Sequence, residues 1–133
     1  MRTGRLFFCA LLMAAFAAGG PRAAERFNRG LVVVVNDAGQ AYVGWRLLTD
    51  DEPGVAFNVY RRTAGATPVK VNAQPITTST NLVDTAAPMD RENTWFVRAV
   101  ADGRELAPSE SASLAAHSPP NRVRIIKLQG DSG

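Results

Sequence analysis

The segment Val55-Ala56-Phe57-Asn58-Val59-Tyr60-Arg61-Arg62 decides the fold class of this chain. Its apolar residues Val55, Phe57 and Val59 occur at every second position, so they share one face of an extended strand. A helix would instead place its apolar residues three and four positions apart. The enrichment in β-branched and aromatic side chains is also typical of strands. The segment therefore predicts a half-buried β-strand.

Two further segments, residues 42–48 and 95–100, have the same period of two. Each offers a tryptophan and two smaller apolar residues to one face, which is expected to point into a core. The inward residues predicted from this alternation are Val43, Trp45 and Leu47 in the first segment and Trp95, Val97 and Ala99 in the second.

The same alternation predicts an outward face on two adjacent strands, formed by Asn58, Tyr60, Phe96 and Arg98. Three roles are open for these residues. They can be cross-strand pairs that stabilise the sheet, a docking surface for another domain, because aromatic residues and arginine are enriched at interfaces, or a platform on which a sugar ring stacks.

Other short strands and turns complete the pattern. Residues 30–35 read as a strand buried on both sides, residues 68–71 as an edge strand, and the Asp102-Gly103 pair as a hairpin turn. The acidic stretch 49–54 lacks the ligand spacing of an EF-hand and reads as a solvated loop. Seven or so short strands over about 100 residues predict an all-β, immunoglobulin-like or fibronectin type III-like antiparallel β-sandwich.

The two ends of the chain lie outside this sandwich. Residues 1–19 have a charged start, an apolar run and a small-residue exit, which predicts a secretory signal peptide, with cleavage possible as late as residue 24. The sandwich domain is expected over 25–116. Residues 117–133 read as a linker followed by the beginning of another strand. This organisation predicts a secreted or periplasmic protein with no membrane span after signal cleavage.

Composition excludes some partners. The chain has 15 Lys plus Arg against 12 Asp plus Glu, and two of the arginines, Arg2 and Arg5, fall in the predicted signal peptide. The remaining 13 basic and 12 acidic residues leave a net charge of +1, which gives no reason to expect a nucleic-acid partner. The one cysteine, Cys9, also lies in the predicted signal, so no disulfide is expected in the mature domain.

The sequence offers no catalytic or metal site. His117 is the one histidine, and without a cysteine in the mature chain it cannot assemble a zinc site. It lies 15 residues from Ser132, whose surroundings resemble a serine-protease motif by chance, because a triad also needs a buried acid and an oxyanion hole. The carboxylates Asp84, Asp90 and Glu92 read as loop residues. No enzymatic activity and no cofactor are expected for this chain.

Phrases along the chain resemble the N-terminal β-domain of bacterial rhamnogalacturonan lyases of polysaccharide lyase family 11. The resemblance covers residues 25–129 and depends on the order of the phrases. In chain order they are Arg29–Val32, Trp45–Leu48, Phe57–Arg61, Lys70–Asn72, Thr80–Asp84, Trp95–Arg98, Asp102–Glu105 and Ile126–Gln129. Two residues depart from the family pattern. Trp95 replaces a tyrosine, so its corner hydrogen bond is lost or made by the indole N–H, and Lys127 replaces a proline.

The resemblance implies a non-catalytic module. In the family, β-elimination in the pectin backbone takes place in a calcium-dependent β-propeller, and none of the propeller's metal-ligand segments is present here. No catalytic residue can therefore be assigned to this chain. Calcium is expected only in the missing catalytic domain. The expected partner is that propeller, and pectic polysaccharide is the second candidate partner.

Three interpretations of the function follow. The first is the N-terminal module of a secreted rhamnogalacturonan lyase, truncated before its catalytic propeller. The second is a free-standing carbohydrate-binding or adhesion module. The third is an independent enzyme, which lacks any supporting site. A propeller reading frame downstream in the DNA would favour the first interpretation, and an unrelated downstream gene would favour the second.

Overall fold

The computed structural model describes residues 28–121, which form eight β-strands. All strand pairings between these residues are antiparallel, and no helix occurs among them. The strands are β1 Val32–Val35, β2 Ala41–Gly44, β3 Ala56–Thr63, β4 Val69–Lys70, β5 Asn81–Asp84, β6 Asn93–Ala101, β7 Arg104–Pro108 and β8 Ala112–Leu114. The predicted all-β fold class is confirmed.

The strands form two sheets that face each other. The three-stranded sheet has the order β1-β2-β5. The five-stranded sheet has the order β4-β3-β6-β7, with β8 also pairing with β6. Strands β7 and β8 lie along the same side of β6 and are separated by residues 109–111, directly after Pro108. Proline cannot donate a backbone hydrogen bond, which is consistent with the interruption at this point.

The core lies between the sheets and follows the predicted alternation of β3 and β6. Phe57 and Val59 of β3 face the core together with Trp95 and Val97 of β6. Trp45, which follows β2, packs edge-on against Phe57 with ring centroids 5.4 Å apart. Its backbone N–H donates to the Thr80 carbonyl, so the chain continues the sheet past the end of β2.

The predicted hairpin joins β6 to β7. Asp102 and Gly103 have φ angles of 50° and 73°. Two consecutive left-handed residues are the signature of a type I′ turn, whose twist matches that of the strands it connects. The predicted edge strand at 68–71 is also found, as β4, which pairs with β3.

Two predictions of burial are wrong. Leu47 is 58% exposed, because β2 ends at Gly44 and the alternation does not extend beyond Trp45. The first strand is not buried on both sides, because Val32 is 53% exposed and only alternate residues of β1 reach the core. The four consecutive valines concealed this parity in the sequence.

The expectation that Asp84 is a loop carboxylate is also wrong. It ends β5 with 2% of its surface exposed. Its Oδ2 accepts hydrogen bonds from Arg61 Nη1 at 2.5 Å and from the Trp95 indole N–H at 3.0 Å. The Trp95 indole N–H therefore has a hydrogen-bond partner, the side chain of Asp84.

The described part of the chain ends against the sandwich. The His117 N–H donates to the Met89 carbonyl, and the Asn121 N–H donates to the Val35 carbonyl at the end of β1. The predicted signal peptide and the predicted strand at 122–128 lie outside residues 28–121, as does Ser132. No helix in the described residues is long and apolar enough to cross a membrane.

Candidate functional surface

The outward aromatic pair predicted from the alternation lies on the face of the five-stranded sheet that points away from the core. Tyr60 of β3 and Phe96 of β6 are directly opposite in register. Their rings are nearly parallel, with an interplanar angle of 7° and centroids 5.2 Å apart. Offset stacking of this kind is a favourable geometry for two aromatic rings, and it fixes both side chains on the surface.

A carboxylate organises the polar groups beside the pair. Glu105 Oε1 accepts hydrogen bonds from the Tyr60 hydroxyl and from Asn58 Nδ2, the latter at 2.6 Å. Arg98 Nε lies 3.9 Å from Glu105 Oε2, and Arg98 Nη1 donates to the Leu106 carbonyl at 3.0 Å. These contacts tie β7 to the outer face of β3 and β6.

The shared hydrogen bond shifts the acidity of both partners. The Tyr60 hydroxyl, followed by the Asn58 amide, lowers the pKa of Glu105, because both donors favour the charged carboxylate. The same bond to Glu105 raises the pKa of Tyr60, because deprotonation would remove the donated proton and place two negative charges together. Glu105 is therefore ionised and Tyr60 neutral at neutral pH.

Asn58 lies on this face but is not exposed, which corrects the expectation from the sequence. It is only 5% exposed, because Asn72 and Glu105 cover it. Asn72 Nδ2 donates to Asn58 Oδ1 at 3.0 Å, and Asn72 Oδ1 accepts from the Val59 N–H at 2.7 Å. Asn58 therefore joins the loop after β4 to the sheet and cannot contact a large partner.

A groove of about 300 Å³ opens beside Phe96, where β7 has ended and β8 has not begun. Arg62 and Arg98 line it together with Phe96 and the hydroxyl-bearing residues Thr94 and Ser111. No carboxylate lines this groove. Arg62 is exposed and has no ion pair with any residue of 28–121. The groove is therefore cationic with an aromatic wall.

The outer face of the three-stranded sheet has the opposite character. Its outward positions are Val32, Val34, Tyr42, Gly44, Asn81 and Val83, none of which is charged. Val32 and Val83 are 53% and 40% exposed. A Cβ atom on Gly44 would lie 3.3 Å from Tyr42 Cε1, so the tyrosine ring extends over the glycine. We call these six positions the outer valine face.

The acidic loop is more structured than the predicted solvated loop. Arg29 donates two hydrogen bonds to Asp51, at 2.6 and 2.8 Å, and its guanidinium lies 5.0 Å from the Phe57 ring centroid. The bonds from Arg29 lower the pKa of Asp51, while burial opposes this shift in part. A groove of about 460 Å³ separates this loop from Thr77–Thr80.

The described residues bring no metal-binding cluster together. Nowhere in 28–121 do three His, Cys, Asp or Glu side chains lie close enough to hold a metal ion. Asp51 and Asp84, the two well-buried aspartates of the ion pairs, are each held by an arginine. Each of these two carboxylates is therefore held in a structural ion pair.

Sequence reasoning found the aromatic pair and Arg98 but missed Arg62. The sequence did contain a signal for Arg62. This residue has the same parity on β3 as Asn58 and Tyr60, so it must share their face. The groove itself could not be foreseen. It depends on where β7 and β8 each pair with β6, which involves residues distant in sequence.

The two facing antiparallel sheets, with the strand orders β1-β2-β5 and β4-β3-β6-β7, define a fibronectin type III-like β-sandwich. A crystal structure of an Fn3-like protein from Clostridium thermocellum aligns with a TM-score of 0.53 and 28% identity, covering 71% of this chain and 93% of that one. A solved myokine structure aligns with the same TM-score at 18% identity, covering 67% of this chain and 94% of the other, and shows the fold alone.

The chain belongs to the family of rhamnogalacturonan I lyase β-sheet domains, whose model matches residues 22–114. It is 43% identical over 114 residues to the rhamnogalacturonan endolyase YesW of Bacillus subtilis, covering 86% of this chain and 17% of the lyase. It is 34% identical over 93 residues to the rhamnogalacturonan exolyase YesX of the same organism, covering 70% of this chain and 14% of that lyase. The resemblance drawn from the sequence is confirmed, and the chain spans less than a fifth of these relatives.

Proposed function

We propose that this chain is a non-catalytic β-sandwich module of a secreted rhamnogalacturonan lyase. The observation that carries the proposal is that the similarity to two such lyases is confined to their β-sheet domain, which is a small fraction of each enzyme. The arrangement of the described residues supports it, because their best-buried carboxylates are bound to arginines. The module contributes surfaces and the catalytic part contributes the chemistry.

The partner of the module is the catalytic part of the lyase, which packs against the outer valine face. This face is uncharged, and two of its valines are largely exposed. An apolar patch on a sheet with one bare face marks an interaction site more readily than a face whose polar groups are already paired. The polar groups around Tyr60 and Glu105 are paired with each other, so we assign docking to the outer valine face in preference to the Tyr60–Phe96 pair.

The position of Asn121 also supports docking there. Its N–H bonds to the Val35 carbonyl at the end of β1, so the chain reaches residue 121 at the edge of the three-stranded sheet. A domain that follows closely in the chain starts beside this sheet and is held near it at high effective concentration. Contact with the outer valine face then requires only a short connection.

A binding experiment with two matched variants tests this function. A family lyase lacking its β-sheet domain is mixed with the purified chain, and complex formation is followed by analytical ultracentrifugation. The wild-type chain and the Tyr60→Ala/Phe96→Ala variant are expected to bind. The Val32→Asp/Val83→Asp variant is expected to lose binding while retaining its circular dichroism spectrum. Loss of binding in the aromatic variant alone would transfer the docking role to the Tyr60–Phe96 pair, and no binding by any form would contradict the proposal.

The remaining expectations belong to the whole lyase. We place calcium in the catalytic part, where it would neutralise the uronate carboxylate during β-elimination. We place the export signal in the N-terminal 19 residues. Export places the module outside the cytoplasm, in the periplasm or medium. The test for the signal is N-terminal sequencing of the exported chain, which is expected to begin between residues 20 and 25.

A free-standing carbohydrate-binding or adhesion module is the second candidate. The cationic groove beside Phe96 favours it, because a module without a catalytic partner would have to act through a ligand site of its own. The DNA downstream of the gene discriminates between the two. A propeller reading frame there supports the lyase module, and an unrelated gene with its own promoter supports the free module.

A further inference from the structure

We propose that the groove beside Phe96 is a binding subsite for an acidic saccharide, that is, a sugar chain carrying uronate carboxylates. The inference rests on the proposed function in its choice of ligand, because the relatives act on a uronate-containing polymer. The groove itself follows from the geometry of the five-stranded sheet. Through this subsite, the module would hold the polysaccharide directly.

The charges around the groove favour a carboxylate ligand. Arg62 and Arg98 both line it, and a guanidinium can donate two parallel hydrogen bonds to one carboxylate. Lys70 adds a third cation on the same face, opposite Tyr60 in register. Arg62 has no carboxylate partner in 28–121, so its hydrogen bonds are available to a ligand.

The two nearest glutamates leave Arg62 unpaired. Glu105 offsets Arg98, because its Oε2 lies 3.9 Å from Arg98 Nε, while its Oε1 accepts from the Tyr60 hydroxyl and the Asn58 amide. Glu110 accepts hydrogen bonds from the Leu31 N–H at 2.8 Å and the Arg29 N–H at 3.2 Å, which direct its carboxylate toward β1. Within residues 28–121, the groove therefore keeps Arg62 as a cation without a carboxylate partner.

The aromatic wall is held rigid before any ligand arrives. Phe96 is stacked on Tyr60, and Tyr60 is held by Glu105 of the neighbouring β7. A sugar ring presents an apolar face of C–H groups that can pack on an aromatic ring, while its carboxylate extends to an arginine. A fixed aromatic side chain loses little conformational entropy on binding, which lowers the cost of holding a weak, flexible ligand.

Hydroxyl groups complete the lining. The Thr94 and Ser113 hydroxyls are bonded to each other at 2.7 Å, and Ser111 is exposed at the groove. The Ser109 hydroxyl is excluded from binding, because it accepts from the Val97 N–H and donates to the Glu110 carbonyl. Ser111, which is exposed and lines the groove, is thus the hydroxyl most available to a sugar.

The test is a titration of the full chain with a galacturonate oligosaccharide and with a neutral galactose oligosaccharide of equal length, followed by NMR chemical shifts. We expect shifts centred on Phe96, Ser111 and Arg62 with the acidic ligand alone. The substitution Arg62→Gln should weaken binding by about tenfold, the loss expected for one charged hydrogen-bonding partner. The matched control Arg91→Gln removes the same charge from an exposed loop and should leave affinity unchanged.

Three results would overturn the subsite: no binding of the acidic ligand, equal binding of the neutral ligand, or an equal loss of affinity in the Arg91 control. An equal loss of affinity in the Arg91→Gln control would show that net charge alone attracts the saccharide. Absorbance of unsaturated uronate is recorded in the same samples with a rhamnogalacturonan substrate. Product formation there would overturn the proposed non-catalytic function, whereas a failure to bind would overturn only the subsite.

Discussion

The indole N–H of Trp95 donates a hydrogen bond to Asp84 Oδ2 at 3.0 Å in the interior of the sandwich. Arg61 donates to the same oxygen from β3, so one carboxylate links three strands from both sheets. Trp95 has no exposed surface, and Asp84 has 2%. A buried charge is tolerated only when it is paired and hydrogen-bonded, and this site meets both conditions.

Removal of the carboxylate should destabilise the fold strongly. We expect Asp84→Ala to lower the free energy of unfolding by about 3–5 kcal/mol, because it leaves the Arg61 guanidinium without its charge partner in a buried site. Chemical denaturation of the purified variant measures this loss. The control Asp90→Ala, at an exposed position, should change stability by less than about 0.5 kcal/mol. Equal effects of the two substitutions would show that the pair contributes nothing to stability.

The two tryptophans should respond differently to replacement by phenylalanine. The Trp45 indole N–H is buried and has no hydrogen-bond partner among residues 28–121, whereas the Trp95 N–H is bonded to Asp84. Trp95→Phe is therefore expected to cost about 1–3 kcal/mol more than Trp45→Phe, because it removes a buried hydrogen bond to a charged carboxylate, whereas Trp45→Phe removes none. Trp45→Ala and Phe57→Ala should each cost about 3–5 kcal/mol by loss of core volume. Denaturant unfolding of the four variants tests the order, and a reversed order of the two phenylalanine variants would contradict it.

The contribution of Glu105 should depend on pH. Its folded pKa is below the ordinary 4.5, so the stability it contributes is present above pH 4.5 and is lost as the pH falls through the folded pKa. The pKa of Tyr60 is above the ordinary 10.0, so its contribution is present below pH 10.0 and is lost as the pH rises through the folded value. Both contributions are therefore complete between these limits.

Thermal melts of wild type and Glu105→Gln at different pH values test the contribution of Glu105. Wild type should be more stable than the variant at about pH 7, and the difference should shrink as the pH falls below 4.5 and through the lowered pKa of Glu105. Asp51 also has a lowered pKa, but it titrates in both proteins and cancels in the difference. A difference in melting temperature that stays constant across this range would contradict the role of Glu105.

The strands of the five-stranded sheet could be predicted from the sequence because one of their faces is buried and the other is not. Phe57 and Val59 alternate with Asn58 and Tyr60, and the core follows this alternation. The four valines of β1 carry no such contrast, so the exposure of Val32 and the outer valine face were not predicted. Local periodicity specifies a face only where polar and apolar residues alternate.

The polar interior could not be predicted in full, because it depends on contacts between distant segments. Asn58 is buried by Asn72, which lies 14 residues away, and by Glu105, which lies 47 residues away. Asp84 offered one signal that was missed. It has the same parity as Leu82 on β5, and Leu82 packs against the core. An acidic residue with inward parity in a strand predicts a buried partner, here Arg61.

Formation of unsaturated uronate from rhamnogalacturonan tests directly whether the proposed module lacks lyase activity. The purified chain is incubated with the polymer, with and without calcium, beside the Bacillus subtilis endolyase as a positive control. We predict no rise in the absorbance of unsaturated uronate at any concentration of the chain, because the chain matches only the β-sheet domain of its relatives and spans less than a fifth of each lyase. A rise proportional to the amount of the chain, and lost when the chain is unfolded, would contradict the account.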